Sequence, residues 1–128
     1  MDTKFDYDTR WGFYTEMEMF KHIWNTEPHF SFISGIPIRH PSPANFAHIL
    51  SKAVNRFPHY RLNPGNIVLV LPEEHNLIDQ GTEKQREAYC RRIKSASFRP
   101  FYAKAERLSK EYSDHYLKNV DIDLTGTD

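Results

Sequence analysis

The fold is decided by residues 63–79, which read NPGNIVLVLPEEHNLID. The triplet NPG forces a turn, and the apolar run over residues 67–71 predicts a strand. The proline and two glutamates that follow are typical of a helix start, and the glycine two residues beyond the stretch suits a helix stop. We therefore expect a short helix over about residues 73–79, with His75 and Asp79 four apart on one face.

Three elements are predicted on the N-terminal side of this stretch. A capping box that begins at Thr15 predicts a helix over about residues 16–25. The Ser34-Gly35 pair lies between apolar residues and indicates a short hairpin or knuckle. Residues 46–50 are expected to form a second strand, so that two short strands precede the helix.

Two helices are predicted on the C-terminal side. Thr82 caps a helix that should run to about Lys94, and Pro100 opens a final helix. Together they cover about residues 83–118, and residues 119–128 read as a loose tail. The order of helices and short strands predicts an α+β fold.

Composition and charge limit the classes of function that this protein can have. The 128 residues suit one domain, 1–128, and 17 basic against 17 acidic residues give a net charge of zero. General attraction to a polyanion is thereby excluded, so a nucleic-acid surface must be a local patch. The longest apolar run is too short to cross a membrane, the first residues lack a secretion-signal layout, and Cys90 stands alone. We therefore expect a soluble, cytoplasmic protein without membrane contact.

Seven histidines are many for this length, and most have ordinary explanations. Five of them lie among polar neighbours on helices or beside prolines in loops, where a structural or solvated side chain is the simpler interpretation: His22, His29, His40, His59 and His115. His48 and His75 differ from these five. His48 ends a predicted strand, and His75 shares one face of the predicted helix with Asp79.

Four residues occur in a distinctive order. His48 ends a strand, Asn66 opens the next one, and His75 and Asp79 share the following helix, with gaps of 18, 9 and 4 residues. This order resembles the motif of the HNH endonucleases, and the resemblance extends over about residues 28–81. It implies a ββα-metal (HNH/His-Me finger) core, flanked here by one N-terminal and two C-terminal helices.

The resemblance also implies roles. His48 would be the general base that takes a proton from the attacking water, and Asn66 would hold the loop between the strands. His75 and Asp79 would bind one divalent ion, Mg²⁺ or Mn²⁺, for hydrolysis of DNA phosphodiester bonds. The position before the catalytic histidine often carries a further metal ligand in this family, but here it is Ala47.

Many HNH proteins carry a zinc knuckle of four cysteines, and here the corresponding positions are Ser31, Ser34, Leu71 and Glu74. These side chains cannot build a tetrahedral thiolate site, so we expect no structural zinc. The knuckle should instead be held by apolar packing among the following residues: Phe30, Phe32, Ile33, Ile36, Ile38 and Leu71.

Binding to DNA, the expected partner, would come from basic residues. Lys52, Arg56 and Arg61 lie between the first two motif residues, and Arg91 and Arg92 lie on a C-terminal helix. The family resemblance points to a bacterial or phage-infected cytoplasm and allows a homodimer that cuts both strands.

Two other functions stay open at this point. The first is a catalytically inactive, HNH-shaped module that binds nucleic acid or protein, which Ala47 and the missing knuckle cysteines favour. The second is a small structural accessory protein with incidental histidines. Charge neutrality suits the second, but it leaves the order of the four motif residues unexplained.

Overall fold

A computed structural model describes residues 8–50 and 57–117, and it confirms the α+β class. Within these ranges no helix combines the length and the apolar character that a membrane span requires. The regular elements, in chain order, are α1 (Glu16–Thr26), β1 (Phe46–His48), β2 (Ile67–Leu69), α2 (Pro72–Gln80), α3 (Glu83–Arg92) and α4 (Arg99–Tyr112), followed by a π-helical turn (Ser113–Leu117).

The two strands form an antiparallel pair in which Ala47 lies opposite Val68. Both strands are shorter than predicted, with three residues each. Beyond the strands, the Ile49 N–H still donates to the Asn66 carbonyl (2.8 Å) and the Val70 N–H to the Asn45 carbonyl (2.9 Å), and side chains accept the N–H groups that follow. The Leu50 N–H donates to Asn66 Oδ1 (2.8 Å), and the Leu71 N–H donates to Glu74 Oε1 (2.8 Å).

The helix starts agree with the capping residues in the sequence. Thr15 and Thr82 accept hydrogen bonds from backbone N–H groups three residues later, at 3.1 Å each. The prediction for the end of α3 was wrong by two residues, because Ile93 leaves the helical region (φ −108°, ψ 96°). One face of α4 and of the turn after it is apolar, and its residues are buried or partly buried: Phe101, Ala105, Leu108, Tyr112 and Tyr116.

The hairpin is buried on both faces, which explains why its second strand is apolar at every position. One face, with Ala47 and Val68, packs in a cluster with α2, α3 and α4. The other face, with Phe46, Ile67 and Leu69, packs against α1. Because side chains alternate along a strand, His48 lies on the same face as Phe46. The pleat therefore turns His48 towards α1.

An aromatic cluster fixes the segment that follows residue 56. Tyr60 is 2% exposed and packs with Leu50 and Tyr112, with Trp11 against its edge at 5.7 Å between ring centroids. The Tyr60 hydroxyl also donates to Glu111. This segment is consequently anchored to α4 and places Arg61 beside the hairpin.

Candidate catalytic site

His48 is 8% exposed, and its Nε2 lies 3.1 Å from the carbonyl oxygen of Arg61. A carbonyl oxygen can only accept a hydrogen bond, so Nε2 carries the proton in this contact. In the neutral ring the lone pair is then on Nδ1. The backbone of Arg61 thus selects the tautomer and orients an imidazole suited to accept a proton.

Asn66 closes the loop between the strands with its side chain. Its Oδ1 accepts from the Leu50 N–H (2.8 Å), while its Nδ2 donates to the carbonyls of Leu50 (3.2 Å) and Tyr60 (3.3 Å). The residue is 1% exposed. Tyr60 immediately precedes Arg61, so Asn66 fixes the backbone whose carbonyl orients His48.

The replacement of Asn66 by alanine is expected to destabilise the protein by about 2–4 kcal/mol, because it leaves buried backbone groups without partners. Urea denaturation followed by circular dichroism measures this free energy of unfolding. Asn76→Ala is the matched control, since Asn76 is exposed on α2, and it should change stability by less than about 0.5 kcal/mol. Equal effects of the two variants would contradict the loop-closing role.

His75 and Asp79 form a pair on α2. His75 Nδ1 lies 2.8 Å from the carbonyl oxygen of Ala44, and His75 Nε2 lies 3.2 Å from Asp79 Oδ2. The carbonyl places the proton on Nδ1, so Nε2 of the neutral ring turns its lone pair towards a carboxylate oxygen. Both atoms can donate an electron pair to a cation placed between them.

A cavity of about 300 Å³ brings the motif side chains together. His48, His75 and Asp79 all line it, whereas Asn66 lies behind it in the loop. The remaining lining residues are Glu16, Phe20, Pro43 and Phe46. His48 of β1 therefore shares one cavity with the His75–Asp79 pair of α2, although His48 and His75 are far apart in the sequence.

The sequence gives no signal for Glu16, which is the additional acid at this cavity. Its Oε2 lies 3.0 Å from Arg61 Nε and 3.9 Å from His48 Nε2. An acid in the first turn of a helix ordinarily stabilises the helix dipole, so its sequence position is unremarkable. Only the packing of α1 against the hairpin reveals its place at the site.

Two cavity side chains have the chemistry of ligands for a divalent ion. His75 Nε2 and Asp79 Oδ2 supply one nitrogen and one oxygen from neighbouring turns, a pairing that such ions accept. Ala47 is fully buried in the apolar core and contributes no ligand. In the part of the chain that the structure describes, no three His, Cys, Asp or Glu side chains are grouped as metal ligands. The residues fit an ion with two protein ligands and several solvent or substrate oxygens.

The knuckle positions meet around Glu74 and not through the predicted apolar packing. Glu74 is completely buried, and its Oε1 accepts from the Ser31 hydroxyl (2.5 Å) and the Leu71 N–H (2.8 Å). Its Oε2 accepts from the Tyr89 hydroxyl (2.7 Å). Burial, and then the hydrogen bond to Glu74, raise the pKa of Tyr89 above its usual value, which keeps this hydroxyl a donor.

The predicted knuckle core was therefore partly wrong. Phe30 and Phe32 are 54% and 38% exposed, whereas Ile33 and Ile38 are buried. The knuckle turns at Gly35 (φ +75°), and the Ser31 hydroxyl accepts two backbone N–H groups at 3.0 Å. A buried carboxylate and the hydroxyls of Ser31 and Tyr89 thus join the knuckle to α2 and α3.

The predicted DNA-binding residues lie in different places. Lys52 and Arg56 are outside the described residues. Arg61 pairs with Glu16, which lines the cavity, whereas Arg91 and Arg92 are exposed on α3. Arg92 pairs with Glu73 at 2.6 Å. Glu73 projects from α2 on roughly the opposite side to His75 and Asp79, so this pair lies away from the cavity.

The cavity thus combines an oriented imidazole, a nitrogen–oxygen donor pair and a glutamate that pairs with Arg61. Its chemistry has to be judged from these side chains alone. The chain matches no protein-family model, no curated protein and no solved structure.

Proposed function

We propose that this protein is a metal-dependent endonuclease of the HNH type that hydrolyses phosphodiester bonds in DNA. In this proposal β1, β2 and α2 are a ββα-metal core. The single observation that supports it best is the convergence of His48, His75 and Asp79 on one cavity. Incidental histidines would have no reason to meet there in the order that the HNH motif requires.

The chain's own residues account for most of the proposed reaction. His48 Nδ1 takes the proton of the attacking water, while the Arg61 carbonyl keeps the ring in place. His75 and Asp79 would hold Mg²⁺ or Mn²⁺ and, when bound, such an ion stabilises negative charge on the phosphate and the leaving oxygen. Arg61 offsets the charge of Glu16, which would otherwise repel an anionic substrate.

A plasmid-nicking assay tests the proposal. We expect supercoiled DNA to be nicked with Mg²⁺ or Mn²⁺, to stay intact with a chelator, and to be nicked at least about tenfold more slowly by Asp79→Asn. Asp114→Asn is the control, because Asp114 pairs with Lys110 on the exposed C-terminal turn. Cleavage that persists at full rate in the chelator would refute the metal dependence.

A binding module without catalysis is the second candidate, and the buried Ala47 before His48 favours it. Calorimetric titration with Mn²⁺ separates the two functions. The endonuclease predicts uptake of the ion that is lost in His75→Ala. DNA binding without ion uptake and without cleavage would favour the binding module.

A further inference from the structure

A second groove, of about 440 Å³, adjoins the candidate catalytic cavity. Phe20, Pro43 and Phe46 line both. The groove therefore lies next to the cavity, separated from it by a wall of these three residues. A molecule bound at His48 would extend into the groove over this wall.

Flat and apolar side chains dominate the groove. Phe20 stacks on Phe46, with ring centroids 4.4 Å apart and planes at 7°. Trp24 lies at the side, with His29 stacked on it at 3.4 Å and 12°. The carbonyl of Trp24 also contacts His29 Nε2 at 2.7 Å, so the indole is held before any ligand arrives.

The groove is also open and has one positive charge at its rim. Met17 is 52% exposed although it projects from α1 beside these rings. Lys21 is the single basic residue among the side chains that line the groove, and it is exposed. Apolar walls with a cation at the edge match a nucleotide, whose base is flat and whose phosphate is anionic.

We propose that this groove binds an unpaired nucleobase next to the scissile phosphate, so that the substrate is DNA with unpaired nucleotides at the cleavage position. This inference rests on the proposed function. In a duplex both faces of each base are covered by its neighbours, so only an unpaired base can enter the groove. Lys21 would then neutralise the phosphate of that nucleotide.

Fluorescence anisotropy with a labelled ten-nucleotide oligothymidylate tests the inference. The measurement is made in a chelator, so that binding is read without cleavage. We expect the single strand to bind at least about tenfold more tightly than a duplex of the same length, and Trp24→Ala to weaken single-strand binding about tenfold or more.

Two further variants keep this test decisive. Met17→Glu places a carboxylate in the groove at an exposed helix position, and it should weaken binding as strongly while the fold is retained. Tyr102→Ala is the matched control, because Tyr102 is an aromatic residue 48% exposed on α4, outside the groove, and binding should be unchanged. Circular dichroism verifies the fold of each variant.

Failure of this inference can be distinguished from failure of the proposed function. Binding by Trp24→Ala and Met17→Glu within twofold of the parent, equal affinity for duplex, or no binding of the oligothymidylate would overturn the groove assignment. Cleavage could still occur in each of these cases. Binding that depends on Trp24, in a protein that never cleaves DNA with Mg²⁺ or Mn²⁺, would leave the groove assignment standing and refute the endonuclease.

Discussion

His48→Ala is expected to slow DNA cleavage by about 10²–10⁴-fold, the range that a general base contributes. The imidazole is oriented by the Arg61 carbonyl and lines the cavity that His75 and Asp79 share. Alanine removes the proton acceptor but leaves the donor pair on α2 in place. Single-turnover cleavage with Mg²⁺ measures the effect on the chemical step.

The loss should appear in the rate and not in DNA binding. His22→Ala is the control, because His22 lies exposed on α1 outside this cavity, and it should cleave at the parental rate. Thermal unfolding of His48→Ala verifies that the buried position tolerates the change. If folded His48→Ala cleaves within threefold of the parent, the assignment of the base is wrong.

Glu74→Ala is expected to lower the free energy of unfolding by about 3–5 kcal/mol, because a fully buried carboxylate accepts three hydrogen bonds. Alanine would leave the hydroxyls of Ser31 and Tyr89 and the N–H of Leu71 without their acceptor, and it would open a cavity. Such a loss is a large part of the total stability of a small protein. Urea denaturation measures it.

Two variants refine this result. Glu74→Gln keeps the shape and one carbonyl acceptor, so its loss should be smaller, about 1–3 kcal/mol. Glu73→Ala is the matched control, because the neighbouring carboxylate is exposed and pairs only with Arg92 at the surface, which gives at most about 1 kcal/mol. Equal losses for Glu73→Ala and Glu74→Ala would show that Glu74 does not hold the knuckle.

Urea denaturation in the presence of a chelator distinguishes a structural metal from a catalytic one. Because hydrogen bonds to Glu74 hold the knuckle, we expect a chelator to leave the unfolding midpoint unchanged. The chelator should nevertheless abolish cleavage if His75 and Asp79 hold the ion as proposed. A drop in stability with chelator would point to a structural metal.

Local elements could be predicted from the sequence because their causes are local. Thr15 and Thr82 cap helices through residues three positions away, and Pro72 begins α2. The ends of the strands could not be predicted. Near the end of β1, the Leu50 N–H donates to the side chain of Asn66, which is 16 residues away in the sequence, and no local pattern reveals that contact.

The same distinction separates the site residues. The spacing of His75 and Asp79 is a property of one helix, so their contact follows from the sequence. The contact of Glu16 with Arg61 depends on how α1 packs on the hairpin, and no local pattern encodes it. The exposure of Phe30, against the expected burial, likewise reflects a knuckle held by polar bonds.

The helix caps, the order of the elements and the pair on α2 follow from local sequence, because each depends on residues within one or two turns. That His48 shares a cavity with this pair, that Glu16 joins it, and that a buried Glu74 links the knuckle to α2 and α3 follow only from how the elements pack. Those contacts join residues from different elements, 15 residues apart for Glu74 and Tyr89 and 43 for Ser31 and Glu74, and they form only when these elements pack together.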